Sequence, residues 1–478
     1  MNVPSFEFLG FAALVAIVLA ISTKSTWRRL VFAIANVAFV LTFTHDPLAL
    51  APFAGFLALG YASVKLVESR KRRTAFITLV VAIVLAFCWL KRYTFIPSAT
   101  FLPYAYFTVG LSYMFFRVLH VVIDTHSEMF PEPIGPLAYL SYTLSFPSLV
   151  SGPIQLYSDY RRTESEQPAA LGLADMGSAS ERIIAGLFKV VVLSPILLNL
   201  HQRTVANLSP SLALDYRAGL GALAIALFPI YLYINFSGYT DFVIGAARFM
   251  RLVLPENFNQ PFRAASFLDF WSRWHMTLSG WLKRYVYTSV AMSLIRRFSA
   301  PSAEPYIGVF AYFVTFFLVG LWHGQTSMFI VYGVLQGLGV SANKLFSILM
   351  IARLGRKPYR ALCARPVYAA FSRGLTFTYF AVTLLWFWSS AQSLSLFART
   401  LGMPAILAAI ALVVVGSSLI LSALYRCEEM IGSSRVVQFA RFDSLYYRVA
   451  WTTVLLVLVV SVTAILNAPA PHIVYKAF

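Results

Sequence analysis

Charge is what this 478-residue chain has least of. Only 12% of it is Asp, Glu, Lys or Arg, against 59% hydrophobic residues. A polypeptide with so little to offer water cannot close over itself as a soluble globule, so lipid must be its solvent. Cysteine is also scarce. Cys88, Cys363 and Cys427 stand far apart without paired or ligand spacing, which excludes a disulfide framework or a zinc site and leaves them as packing residues. The seven histidines form no metal-ligand pattern with carboxylates, so neither a metal nor a bound cofactor is expected. No internal repeat or low-complexity segment is visible. The first apolar stretch, 6–23, lacks a basic leader and a small-residue cleavage site, so it reads as a retained span rather than a signal peptide.

Acidic residues are half as frequent as basic ones, 19 against 38, for a formal charge of +19. In a soluble protein that excess would suggest nucleic acid. Here the bases cluster between apolar runs, the pattern of positive-inside membrane topology, and nucleic acid is excluded as a partner. A basic cytoplasmic face would also attract anionic membrane lipid, coenzyme A phosphates or an acidic acyl-carrier protein.

At about 20 apolar residues per span, the sequence offers candidates near 6–23, 30–44, 47–66, 74–90, 100–123, 135–150, 182–200, 217–236, 306–322, 327–351, 374–391, 401–425 and 448–467. The fold class is therefore an all-α polytopic membrane protein of about 11–13 membrane helices with added re-entrant or interfacial helices, and the chain reads as one integral membrane domain, 1–478. The cation clusters Lys24, Arg28, Arg29 and Lys65, Arg70 to Arg73 flank one pair of spans and should both be cytoplasmic. That places the N-terminus outside, in a multi-pass protein of the cell membrane. By the same rule 251–297 and the loop carrying Arg353, Arg356, Lys357, Arg360 and Arg365 are cytoplasmic. Residues 159–182 read as the clearest long hydrophilic loop. Asp241 and Arg248, seven apart, are a candidate ion pair on one helix face.

The segment from Ser266 to Tyr285 is too polar on one side to span. At 100° per residue Phe267, Trp271, Trp274, His275, Leu278, Trp281, Leu282 and Tyr285 share an arc, opposite Arg273, Thr277, Lys283 and Arg284. That pattern predicts one amphipathic helix lying at the interface or wedged along the membrane face, started by Ser266 and Asp269 at capping-box spacing.

His323, in Gly320-Leu-Trp-His-Gly-Gln325, lies between two apolar runs. An ionisable group there either bonds a neighbouring backbone carbonyl or faces a functional cavity. Gly320 and Gly324 leave room around it, and Gly333 and Gly337 permit tight packing of the next helix. A neutral imidazole suits acyl transfer, because it can take the proton of an alcohol attacking a thioester. The oxyanion would need a donor, with Trp322, Asn259, Gln325 or a backbone amide as candidates.

Four runs in one order, Phe236-Ser-Gly-Tyr-Thr-Asp241, Pro255-Glu-Asn-Phe-Asn-Gln-Pro-Phe262, Asp269-Phe-Trp-Ser-Arg-Trp-His-Met-Thr-Leu-Ser279 and Leu321-Trp-His-Gly324, resemble the membrane-bound O-acyltransferases. Phe146 to Ile154, Gly186-Leu-Phe-Lys189 and the aromatic tail Tyr475 to Phe478 add to the resemblance, which covers about 100–350 well. It implies a helical bundle around a central tunnel, with His323 matching the essential histidine and His275 the second recurring one, and Trp274 and Arg273 beside it as further tunnel candidates. The bacterial branch that acylates envelope polymers is most similar, in particular the teichoic-acid D-alanyl transfer protein and the alginate O-acetyltransferase membrane subunit. An acyl-carrier protein or acyl-CoA would then donate a D-alanyl or acetyl group to an envelope-polymer hydroxyl, directly or through an extracytoplasmic acyltransferase partner. Lys283-Arg284 stands where that branch usually has an Arg-Asp pair, so no carrier contact is carried over there. A transporter or flippase of acyl groups, or an acyltransferase with a protein or lipid acceptor, are the rival readings.

Overall fold

The computed structural model describes residues 1–165, 171–298, 300–433 and 444–466. The aromatic tail 475–478 and residues 166–170 of the expected hydrophilic loop lie outside them. Among the described residues the chain is all-α, with no strand. Among the described residues eight helices are long and apolar enough to cross a membrane: Pro47–Ser69, Arg73–Leu90, Leu173–Ala206, Leu214–Phe249, Glu304–His323, Ser327–Leu354, Met403–Met430 and Leu445–Ile465. Several other apolar stretches form shorter elements. Phe6–Ala20 has 15 residues and Leu111–His126 has 16, while 135–150 divides into Pro136–Thr143 and Phe146–Leu149. Hydropathy reports burial in anything apolar, so it counts short helices packed inside the protein together with true spans.

Contacts fall into two compact units. One holds Met1–Val191, Phe236–Glu256 and the described residues from Leu458; the other holds Val192–Asn235 and Asn257–Val457. The 36-residue helix Leu214–Phe249 contributes to both. At 1.5 Å per residue it is roughly 54 Å long.

In the first unit Phe8 packs its ring against Phe39, Phe146 and Phe242 at 5.7–5.8 Å. Helices Leu173–Ala206 and Leu214–Phe249 meet through glycines: a Cβ on Gly186 would lie 2.6 Å from the Gly238 carbonyl oxygen, and one on Gly238 2.6 Å from Lys189 Cβ. Just beyond this contact a π-turn, Lys189–Leu193, widens the first of these helices. Pro195 explains it, because it has no N–H to return to the carbonyl four residues earlier.

This close approach sets the ion pairs of the unit. Asp241 accepts from Arg182 Nε at 3.0 Å and Lys189 Nζ at 2.7 Å, and Arg182 also grips Glu256 through two bonds of 2.6 and 2.5 Å. The sequence paired Asp241 with Arg248; the structure corrects this, since Arg248 is exposed and the partners of Asp241 come from the neighbouring helix. Asp241→Asn leaves two half-buried cations short of their shared anion and is expected to lower stability by about 2 kcal/mol, read as a lower unfolding midpoint in detergent. The Arg182 guanidinium holds the Glu256 carboxyl below its ordinary range. Its stabilising effect is therefore present above the unfolded carboxyl value and lost as pH falls through the folded one.

In the second unit Ala224, Ile225, Phe377, Ala381, Leu401, Ala405 and Ala409 form an apolar core. Glu304–His323 and Ser327–Leu354 form a hairpin whose seam is glycine. A Cβ on Gly320 would lie 2.2 Å from Gly333 Cα, and one on Gly337 2.8 Å from the Phe313 carbonyl oxygen, as the spacing of these glycines predicts. The amphipathic segment differs from expectation. Ser266 Oγ does cap it, accepting from Asp269 N at 3.2 Å, but the single predicted helix is two, Phe267–Arg273 and Met276–Leu282. The break falls at His275, which has left-handed backbone angles, φ +44° and ψ +52°. The predicted aromatic face is nonetheless buried throughout, from Phe267 to Tyr285, because the kink only redirects it.

Candidate active site

His323 is the last residue of its helix and is 2% exposed. Its imidazole sits among aromatic rings: Trp322 at 4.7 Å, Phe387 at 5.3 Å and Tyr332 at 5.9 Å between centroids. Trp322 also faces His275 at 6.4 Å, so one indole is in ring contact with both histidines. One turn beyond Tyr332 on the same helix, the fully buried Gln336 donates from Nε2 to Thr383 Oγ1 at 2.8 Å. Its Oε1 has no partner among the described residues.

The helix break at His275 is held by one side chain. Asn257 Oδ1 faces three donors: Thr277 Oγ1 at 2.8 Å, Thr277 N at 3.3 Å and His275 Nδ1 at 3.1 Å, while its carbonyl accepts from Met276 N at 2.9 Å. The Thr277 N–H can only donate, so the atom it meets is the amide oxygen, and that oxygen can only accept. His275 Nδ1 therefore carries the proton and Nε2 the lone pair. Burial, with the neighbouring His323 second, holds the His275 imidazole well below its ordinary value and neutral. Three bonds on one acceptor also explain how a non-glycine residue stays in a backbone region that costs of order 1–3 kcal/mol.

Neutral in the folded protein, His275 takes up a proton on unfolding once the pH falls below the ordinary histidine value. Stability should then decline from about pH 6.5 downward, by up to about 1.4 kcal/mol per pH unit for this group. His275→Asn, which tolerates left-handed angles, is expected to flatten that part of the profile, as measured by unfolding midpoints from pH 7.5 to 5.

Of the sequence candidates, the structure brings His323, His275 and Trp322 together. Trp274 is buried in a separate aromatic stack with Phe258, Phe270 and Phe380. Arg273 binds Asp269 at 2.9 Å and reaches the Asn259 carbonyl at 3.4 Å. Asn259 and Gln325 are exposed. Sequence reasoning passed over Asn257, whose buried Nδ2 has no partner among the described residues, and also Tyr332, Gln336 and Phe387. Asn257 and Asn259 stand in one motif, and nothing in its residue types ranks one above the other. Tyr332 and Gln336 lie on the second helix of the hairpin, and Phe387 comes from a short helix further along the chain. Beside the His275 break, Leu268, Trp271, Met276, Lys283, Thr315 and Phe316 line part of a cavity of about 310 Å³. Phe316 lies two turns ahead of His323 on the same helix.

The candidate site is thus a span-length helix that ends on a buried imidazole, with Trp322 in ring contact with both that histidine and His275. Comparison with known proteins gives the family: the model of MBOAT, the membrane-bound O-acyltransferase family, matches residues 53–385. The chain belongs to that family and is an O-acyltransferase. It is 28% identical to the teichoic acid D-alanyltransferase of Bacillus subtilis over 71% of this chain and 87% of that protein. It is 29% identical to the probable alginate O-acetylase AlgI of Pseudomonas aeruginosa, over 50% of this chain and 43% of that one. With the peptidoglycan O-acetyltransferase of Helicobacter pylori it shares 30% identity over 44% and 38%. The chain thus spans less than half of the two acetyl-transfer relatives.

Proposed function

We propose that this chain moves a small acyl group, D-alanyl or acetyl, from a cytoplasmic thioester to a hydroxyl of an extracytoplasmic envelope polymer, with His323 as general base. The observation that carries the reading is the burial of His323 among Trp322, Tyr332 and Phe387 at the end of a span, where a base is shielded from water. The acceptor oxygen attacks the thioester carbonyl carbon while its proton passes to His323. The tetrahedral intermediate then collapses, the C–S bond breaks, and the departing thiolate takes the proton from the imidazolium. Trp322 Nε1–H and the buried Asn257 Nδ2 are the donors proposed for the oxyanion, in place of the exposed Asn259 and Gln325.

The donor is an acyl-carrier protein or acyl-CoA, acting as co-substrate. The cavity beside His275 supports entry of a thin, flexible thioester arm past Met276 and Lys283. The cation clusters support a cytoplasmic position for that side and an N-terminus outside. D-alanyl is favoured over acetyl by the extent of the match to the Bacillus subtilis protein. The test is chemical: ester-linked groups on the producing cell's envelope polymers are released by mild base and identified, with the chain present or deleted. Loss of D-alanine or acetate on deletion supports the reading and names the group; unchanged esters of both kinds reject it. Transfer that also needs an extracytoplasmic acyltransferase would appear as dependence on a second envelope protein.

A further inference from the structure

Away from the histidines, a groove of about 690 Å³ lies between helices Ser327–Leu354 and Pro366–Thr383 and is closed at one end by the short helix Arg356–Ala364. Its floor is tightly packed: Gly339 admits the Tyr379 ring, which would lie 2.3 Å from any Cβ there, and Tyr379 Oη donates to the Leu335 carbonyl at 2.6 Å. Its walls carry Phe346, Phe371 and Leu375, which are 45%, 54% and 50% exposed. Several of the polar groups along it are already engaged by the protein. Asp269 holds Arg273 at 2.9 Å, Asn343 Oδ1 accepts from Leu268 N at 3.2 Å, and Ser347 Oγ donates to the Asn343 carbonyl at 3.0 Å. What the groove offers an occupant is therefore mainly apolar surface.

The closing helix is two-faced. Tyr359 and Cys363 turn into the groove, and Arg356, Lys357 and Arg360 are exposed. From Arg353 to Arg365 the chain has five cations and no acidic residue. Apolar walls open at the side, capped by cations at one end, match a molecule with a hydrocarbon chain and an anionic head.

We propose that this groove binds one anionic phospholipid, with an acyl chain along Phe346, Phe371, Leu375 and Tyr379 and the phosphate at Arg356 and Arg360. The positive-inside pattern sets these cations on the cytoplasmic leaflet, where anionic headgroups attract basic side chains.

The test is native mass spectrometry of the full chain in neutral detergent, titrated with phosphatidylglycerol or with phosphatidylcholine of the same acyl chains. The wild type should retain one phosphatidylglycerol with about tenfold preference. The double variant Arg356→Gln, Arg360→Gln should bind the two lipids alike, Ala342→Trp should block both by filling the groove, and Arg296→Gln with Arg297→Gln, an equal charge loss elsewhere, should behave as wild type. Equal retention of both lipids by the wild type, unchanged preference in the Arg356/Arg360 variant, equal loss in the Arg296/Arg297 control, or displacement by glycerol phosphate alone would each overturn the proposal.

Discussion

His323→Ala is expected to lower acyl transfer by about 10²–10⁴-fold, the usual contribution of a positioned general base, while the protein still inserts and folds. The substitution removes a ring held by contacts with Trp322, Tyr332 and Phe387 and leaves a cavity, so a stability loss of about 1–3 kcal/mol accompanies it. That loss is too small to explain the fall in rate, provided enough folded enzyme is measured. Single-turnover transfer from a thioester donor onto a soluble hydroxyl acceptor separates the two effects, with unfolding followed on the same preparation. His323→Gln gives a second reading, since it keeps a polar side chain of similar reach but cannot take a proton at neutral pH. Its rate should stay low while its unfolding midpoint recovers. Activity in either variant within threefold of wild type would remove His323 from the chemistry and leave it a packing residue.

Much of this arrangement is legible in the sequence, for reasons that differ by element. The hairpin carrying His323 can be read because its requirements are local: an apolar run, glycines at helix-contact spacing, and one ionisable residue where none is cheap. The burial of the face from Phe267 to Tyr285 is legible for the same reason. The break at His275 is not, because it depends on Asn257 bonding Thr277 and His275 from 18 to 20 residues away, and no periodicity carries that information. The partners of Asp241 are hidden in a similar way. Arg182 and Lys189 reach it only because Gly186 and Gly238 let two helices touch, whereas the sequence offers Arg248 on the same helix. The ring wall around His323 is less legible, because Phe387 comes from a helix more than sixty residues further along the chain and joins Tyr332 of the hairpin only through packing.

Gly320→Ala is expected to be the most damaging single-methyl change in the hairpin, and to act on stability and activity together. A Cβ at 320 would meet Gly333 Cα at 2.2 Å, Gly333 N at 2.3 Å and the Phe329 carbonyl oxygen at 2.7 Å. All three are backbone atoms, so no side chain can rotate away and the two helices must separate. Overpacking of this kind usually costs about 1–3 kcal/mol, and occasionally more. Here the displacement is carried straight to the chemistry, because His323 lies one turn further along the same helix and Tyr332 stands immediately before Gly333 on the other. Helix separation therefore widens the wall around the imidazole, and a shift of 1 Å at a reacting group can lower the rate about 10²-fold. Gly416→Ala is the matching control, since a Cβ there meets nothing within 4 Å and alanine favours a helix by up to about 1 kcal/mol over glycine. The control should unfold at or slightly above the wild-type midpoint with full activity, and Gly320→Ala should fall on both measures. A Gly320→Ala protein with wild-type unfolding and wild-type rate would show that the hairpin seam has slack, and that the position of His323 does not depend on it.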